Sequence, residues 1–184
     1  MKLIILQRDG VINQLVENGI KSLQDWKPIP GSIKAMGQLC QSGYSLVIIV
    51  NRLAMSNDAP DIETLHAIHS QTGQLLEQYG GYVEALFYCP HDSKDECDCH
   101  TPGAGIYSDI AKRFQCDLSN VPVIIDNLAD IDSIKSLGAS AVIVKTGRGA
   151  ATLAAVDSHD LKTMTIYNDL AEFSEAIIAE TTSE

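Results

Sequence analysis

Short apolar runs separated by helical stretches constrain this chain more than any other feature. Lys2–Leu6, Leu46–Val50, Ala85–Tyr88, Val121–Ile125 and Ala141–Val144 are largely unbroken in aliphatic residues, and a weaker run covers Thr163–Ile166. A strand with one wet face alternates apolar and polar residues, whereas a strand covered on both faces has no need to. Helical patterns fill the gaps. Ser32–Gln41 follows Pro30-Gly31 and closes at Gly43. Asp61–Tyr79 stripes Leu65, Ile68, Thr72, Leu75, Leu76 and Tyr79, opens near Asp58 and Pro60, and stops at Gly80-Gly81. Ile106, Ile110 and Phe114 mark a third helix, Asp130–Leu137 a short fourth ending at Gly138, and Asp169–Ala179 a closing one before a frayed tail. This alternation predicts right-handed crossovers and a doubly wound parallel sheet in a single α/β domain spanning residues 1–184.

In such a sheet ligands sit outside the carboxyl ends of the strands. The segments to weigh are therefore Gln7-Arg8-Asp9-Gly10, Asn51-Arg52, Cys89 to Thr101, Asp126 to Asp130 and Thr146-Gly147-Arg148. Composition limits what can bind there. With 24 acidic against 13 basic residues the net charge is −11, which repels a nucleic-acid backbone and an anionic membrane. No stretch approaches the roughly 18 apolar residues of a membrane span. Leu3-Ile4-Ile5-Leu6 is too short for a signal-peptide core and runs into charge. The expectation is a cytoplasmic protein that binds neither nucleic acid nor membrane. Nothing in the sequence identifies a protein partner.

The cysteines sharpen that picture. There are five, so a complete disulfide framework is not expected, and Cys40 and Cys116 sit in apolar surroundings as core or boundary residues. The other three belong to Cys89-Pro90-His91 and Cys97-Asp98-Cys99, two close donor pairs separated by five residues. One imidazole and three thiolates make a tetrahedral shell suited to zinc, with no open position, so the ion is structural and folds the loop. The pairs are tighter than ordinary finger spacing. A solvated loop or a reversible disulfide is the alternative; His100 is a second candidate for the fourth donor, and the symmetric pairing favours His91.

On the residues Arg8–Asn13 (R-D-G-V-I-N), Asp25–Gly31 (D-W-K-P-I-P-G) and the C-P-H…C-D-C loop, the chain resembles the D-glycero-D-manno-heptose 1,7-bisphosphate 7-phosphatases, in the histidinol-phosphatase branch of the haloacid-dehalogenase (HAD) superfamily. The resemblance runs from Leu3 to about Gly149. It implies a HAD-like fold with a zinc-binding loop and no large cap domain. It also implies a D-x-D pair after the first strand, in which one aspartate attacks phosphorus and the next acts as acid and base. A hydroxyl and a lysine would hold the phosphoryl oxygens, and aspartates after the fourth strand would hold magnesium.

The chain departs from that pattern. Gln7 stands at the nucleophile position, while Asp9 keeps the acid/base position. Val50 replaces the phosphate-binding hydroxyl, leaving Asn51 and Arg52 as substrate-side candidates. His100 and Thr101 replace the arginine and lysine after the zinc loop. Asp126 and Asp130 remain, with Ile125 in place of a glycine. A neutral amide can neither attack phosphorus nor bring charge to a cation. Loss of a covalent nucleophile costs on the order of 10⁶-fold, or roughly 8 kcal/mol.

Two roles stay open for Asp9, Asp126 and Asp130: a weakened magnesium site, or inherited caps and turns. Arg8, Arg52 and Arg148, with Lys145 nearby, offer charge for a phosphorylated sugar or another small anion, although each reads first as a solvated surface cation. His66, His69 and His159 read as surface or packing residues, and Trp26 as packing an irregular loop over the sheet. The leading expectation is a pseudophosphatase that keeps its pocket and zinc loop. Beside it stand an active magnesium-dependent phosphatase working through Asp9 or metal-bound water, and a partner-binding protein that needs neither ligand nor magnesium.

Overall fold

The computed structural model describes residues 2–17, 19–50, 62–91, 97–99 and 103–182. Six strands, β1 (Lys2–Gln7), β2 (Tyr44–Val50), β3 (Ala85–Tyr88), β4 (Pro122–Ile125), β5 (Ser140–Val144) and β6 (Thr165–Tyr167), form one sheet in the order β3-β2-β1-β4-β5-β6. Every neighbouring pair is parallel. Chain order reverses between β1 and β4, so the polar residues after these two strands face a common crevice.

The unbroken apolar runs have the expected cause. Along β1, Leu3 and Ile5 belong to one buried cluster with Val47, Ile49, Ile106, Ile110 and Ile134, whereas Ile4 and Leu6 belong to another with Met36, Leu39, Leu46, Ile68 and Phe173. Both faces are covered, and each fully buried aliphatic side chain stabilises the fold by roughly 1.5–3 kcal/mol. Helices α1 (Ser32–Gln41), α2 (Ile62–Glu77) and α7 (Leu170–Thr182) contribute to the second cluster. Helix α3 (Gly105–Phe114) and helix α4 (Ile131–Ser136) contribute to the first.

Three details differ from the sequence reading. Tyr79 does not continue the buried stripe of α2: the helix ends at Glu77, and Tyr79 is 43% exposed. Gly80 takes a φ of 68° there, and a Cβ on Gly37 of α1 would lie 2.4 Å from the Cβ of Tyr79, so the chain turns away against a glycine. Two further helices, α5 (Gly149–Ala154) and α6 (Ser158–Leu161), lie between β5 and β6, where no helix was expected. At six and four residues they are too short to show a periodic apolar stripe. The closing helix runs three residues beyond Ala179.

Among the described residues of 8–31 there is no regular element apart from two isolated bridges, Asp9 with Asn13 and Asn13 with Pro28. Val11, Ile12, Ile20 and Trp26 are nonetheless buried in the α1 side of the core, which anchors this connection. Among the described residues no cap domain is present. Asp58, Pro60 and Asp61, expected to open α2, lie outside the described residues. No described helix is long and apolar enough to cross a membrane.

Candidate active site and metal centre

The strand-end crevice assembles three residues singled out above. Gln7 closes β1, paired in register with Ile49 of β2, and is only 4% exposed. Asp126 directly follows β4 and Asp130 directly precedes α4; both are 1% exposed. The Gln7 amide joins them. Its Nε2 donates to Asp130 Oδ2 at 2.5 Å, and its Oε1 accepts the backbone N–H of Asp126 at 3.3 Å.

Neither aspartate is a plain cap. Asp130 occupies the N-cap position of α4 without a side-chain capping bond. Asp126 reaches into other loops: its Oδ2 accepts the Arg148 backbone N–H at 2.9 Å and its Oδ1 the Asn127 Nδ2 at 3.2 Å. Two glycines make that reach possible. A Cβ on Gly10, whose φ is +82°, would lie 2.1 Å from Asp126 Oδ2, and one on Gly147, whose φ is +60°, would lie 2.4 Å from the same atom. Thr146 Oγ1 then donates to the Gly10 carbonyl at 2.7 Å, so the loops after β1, β4 and β5 interlock around one carboxylate.

Asp9 belongs to a different set of bonds. Arg8 grips its carboxylate with two donors, Nε at 3.0 Å and Nη2 at 2.9 Å, and Asn13 Nδ2 adds a third at 3.0 Å. The expectation that Arg8 is a solvated surface cation is overturned: the residue is 7% exposed. It lines a small cavity with Ile48, Leu65, Ile68, His69, Thr72 and Leu86, because α2 folds over it. A charge buried this far needs a partner, and Asp9 supplies it. Asp9, with 33% of its side chain exposed, is the open half of the pair. Arg148 and Lys145 are exposed as expected, with Lys145 donating to Asn168 at 2.9 Å. Asn51, Arg52, His100 and Thr101 lie outside the described residues.

One neighbour was not foreseen. Tyr107 of α3 is among the largest fully buried side chains, and its hydroxyl has no hydrogen-bond partner among the described residues. Burial first, and the charge of Asp130 second, hold its phenol far above the usual range. An aromatic on a helical stripe carries no sequence signal of such a position.

The second centre follows β3. Cys89, His91, Cys97 and Cys99 place their donor atoms within 4.8 Å of one another. The separations are 3.7 Å from Cys89 Sγ to His91 Nδ1, 3.6 Å from Cys89 Sγ to Cys97 Sγ, 3.1 Å from Cys99 Sγ to Cys89 Sγ and 3.0 Å from His91 Nδ1 to Cys99 Sγ. Four soft or borderline donors around one point can hold a metal ion. Taken as thiols alone they crowd each other: burial, then hydrogen bonding to Cys89 and Cys97, pushes Cys99 up to about 12. A shared divalent cation reverses that logic by stabilising thiolates. The loop is pinned to α3, where the Gly105 N–H donates to the Asp98 carbonyl at 2.8 Å and a Cβ on Gly105 would lie 2.7 Å from that oxygen. Cys40 and Cys116 are half-buried and packed against the two cores, as expected.

A parallel sheet with acidic residues clustered at its switch point is the arrangement of HAD-like hydrolases, and a HAD-hydrolase-like family model matches residues 99–173. Among curated proteins the chain is similar to the D-glycero-β-D-manno-heptose-1,7-bisphosphate 7-phosphatase of Bordetella bronchiseptica, 42% identical over 84% of this chain and 86% of that protein. It is also similar to the enzyme of the same name from Neisseria meningitidis serogroup B, 35% identical over 100% of this chain and 98% of that protein. Among solved structures, the D,D-heptose 1,7-bisphosphate phosphatase of B. bronchiseptica in complex with magnesium and phosphate superposes with a TM-score of 0.89 at 38% identity, covering 98% of this chain and 99% of that one. The chain belongs to this heptose-bisphosphate phosphatase family.

Proposed function

We propose that this chain is a pseudophosphatase: a member of the family that keeps the fold, a strand-end pocket and a zinc loop, but not the covalent chemistry. One observation carries the reading. The residue closing β1, where the resemblance puts the attacking carboxylate, is a buried glutamine whose amide is engaged on both sides by Asp130 and the Asp126 N–H. An amide oxygen already accepting a backbone N–H has no charge to drive attack on phosphorus. Asp9, the residue for proton transfer, is clamped by Arg8.

The pocket takes a phosphorylated sugar or another small anion, with exposed Arg148 supplying positive charge beside Asp126. Cys89, His91, Cys97 and Cys99 hold zinc in a closed shell that folds the loop and activates no water. Residues 1–184 act as one domain in the cytoplasm, a setting supported by five cysteines that form no disulfide.

The test is phosphate release from heptose 1,7-bisphosphate, with and without magnesium, by the native chain beside a triple variant carrying Gln7→Asp, Val50→Thr and Thr101→Lys. The native chain is expected to release none, and the variant to gain at least about 10³-fold, part of the roughly 10⁶-fold attached to a nucleophile. Native turnover comparable with ordinary members of the family overturns the reading in favour of an active phosphatase.

A further inference from the structure

Two buried carboxylates on the loop that follows β4 at the switch point each need either a cation or a set of donors. Magnesium demands oxygen ligands in near-octahedral geometry at about 2.0–2.1 Å. The residues here do not fit that demand. Asp126 is satisfied by the Arg148 N–H and by Asn127, and Asp130 receives the Gln7 amide nitrogen. The direction of that amide is set by its other end. Because Oε1 accepts the Asp126 N–H, the NH₂ group must face Asp130. Turning the amide over would set oxygen against carboxylate and NH₂ against N–H, two like-with-like contacts. An amide nitrogen is no metal ligand, and it fills the place beside Asp130 where a ligand oxygen would have to stand.

An aspartate at position 7 has the opposite properties. It is one methylene shorter, has no donor to give Asp130, and adds a third buried negative charge that only a cation could relieve. We infer that the Gln7 amide is a built-in neutral substitute for a divalent cation, so that the strand-end site of this chain is complete without magnesium and closed to it. The inference concerns the same centre as the function proposed above and rests on its reading of Gln7 as a replaced nucleophile. It makes a separate statement, about binding and stability instead of turnover.

The experiment is thermal unfolding of the zinc-loaded full chain in millimolar MgCl₂ against NaCl of matched ionic strength. The native midpoint is expected to respond equally to both salts; a rise specific to magnesium overturns the inference. Gln7→Asp is expected to lower the midpoint by about 5 °C or more without magnesium and to regain it when magnesium is added, since an ion bound only by the folded state stabilises it. A folded Gln7→Asp indifferent to magnesium also overturns the inference.

If that variant does not fold, Mn²⁺ titration of the native chain followed by electron paramagnetic resonance decides. An undiminished free-ion signal supports the inference, and a signal that is quenched, then restored by Asp130→Asn, overturns it. The two proposals fail separately. Hydrolysis by a chain indifferent to magnesium would defeat the pseudophosphatase reading and leave the substitute amide standing. Mn²⁺ binding without hydrolysis would do the reverse.

Discussion

At the end of β3 the chain presents four donor atoms around one point; two and three strands away, at the ends of β1 and β4, an amide links the buried carboxylate of Asp130 to the backbone N–H of the equally buried Asp126. A tetrahedral thiolate site asks only that each donor be kept and brought within reach. A phosphoryl-transfer centre asks for a balance among nucleophile, cation and acid groups, so replacing one carboxylate alters what the others need. In this chain the neutral side chain of Gln7, which we propose stands in place of an attacking carboxylate, also gives the buried Asp130 a donor. A neutral residue there need not destabilise the fold, and the absence of a charge can be structurally useful.

Removing metal from the four-donor cluster after β3 is expected to have the largest effect. Chelation, or Cys99→Ser, should lower the midpoint by about 10 °C, corresponding to about 4 kcal/mol for a tightly held ion at roughly 2–4 °C per kcal/mol. Scanning calorimetry with metal analysis reads this directly, and a chain indifferent to chelators would break the contrast between the two centres.

A smaller effect is expected from Gly10→Ala. A left-handed backbone and a Cβ 2.1 Å from Asp126 Oδ2 should together cost about 3 kcal/mol, with metal content unchanged. Loss of metal in that variant would mean that the centres are coupled. The smallest effect belongs to Tyr107→Phe, which deletes a buried hydroxyl with no described partner and should raise stability by about 1 kcal/mol in denaturant titration. A cost near 1.5 kcal/mol would assign that hydroxyl a bond in the Asp130 environment.

Much of the architecture was legible in the residues. The strands were readable because a sheet covered on both faces keeps its apolar runs unbroken, and the longer helices because their stripes have a period. The short α5 and α6 were not, since six- and four-residue helices are held by their neighbours and not by an amphipathic face. At the site, the segments holding Gln7, Gly10, Asp126, Asp130 and Gly147 could be named from their place after strands, and Gln7, Asp126 and Asp130 were singled out by the family resemblance. What Gly10 and Gly147 do could not be read, because it is a close approach between loops far apart in sequence, and Tyr107 was not named at all. Arg8 was misread for the same reason: an arginine beside an aspartate looks solvated until a helix from elsewhere covers it.

The chain's own chemistry determined the strand–helix alternation, the four-donor set and the plain inability of an amide at position 7 to act as a carboxylate. Only tertiary structure decided what that amide does instead. Its partner Asp130 lies 123 residues away, and the choice of which buried polar groups meet is made by strand order at the switch point, not by any local pattern. The physical reason is that burial converts every unpaired polar group into a cost, so the sheet topology that brings these groups together also dictates how they are satisfied.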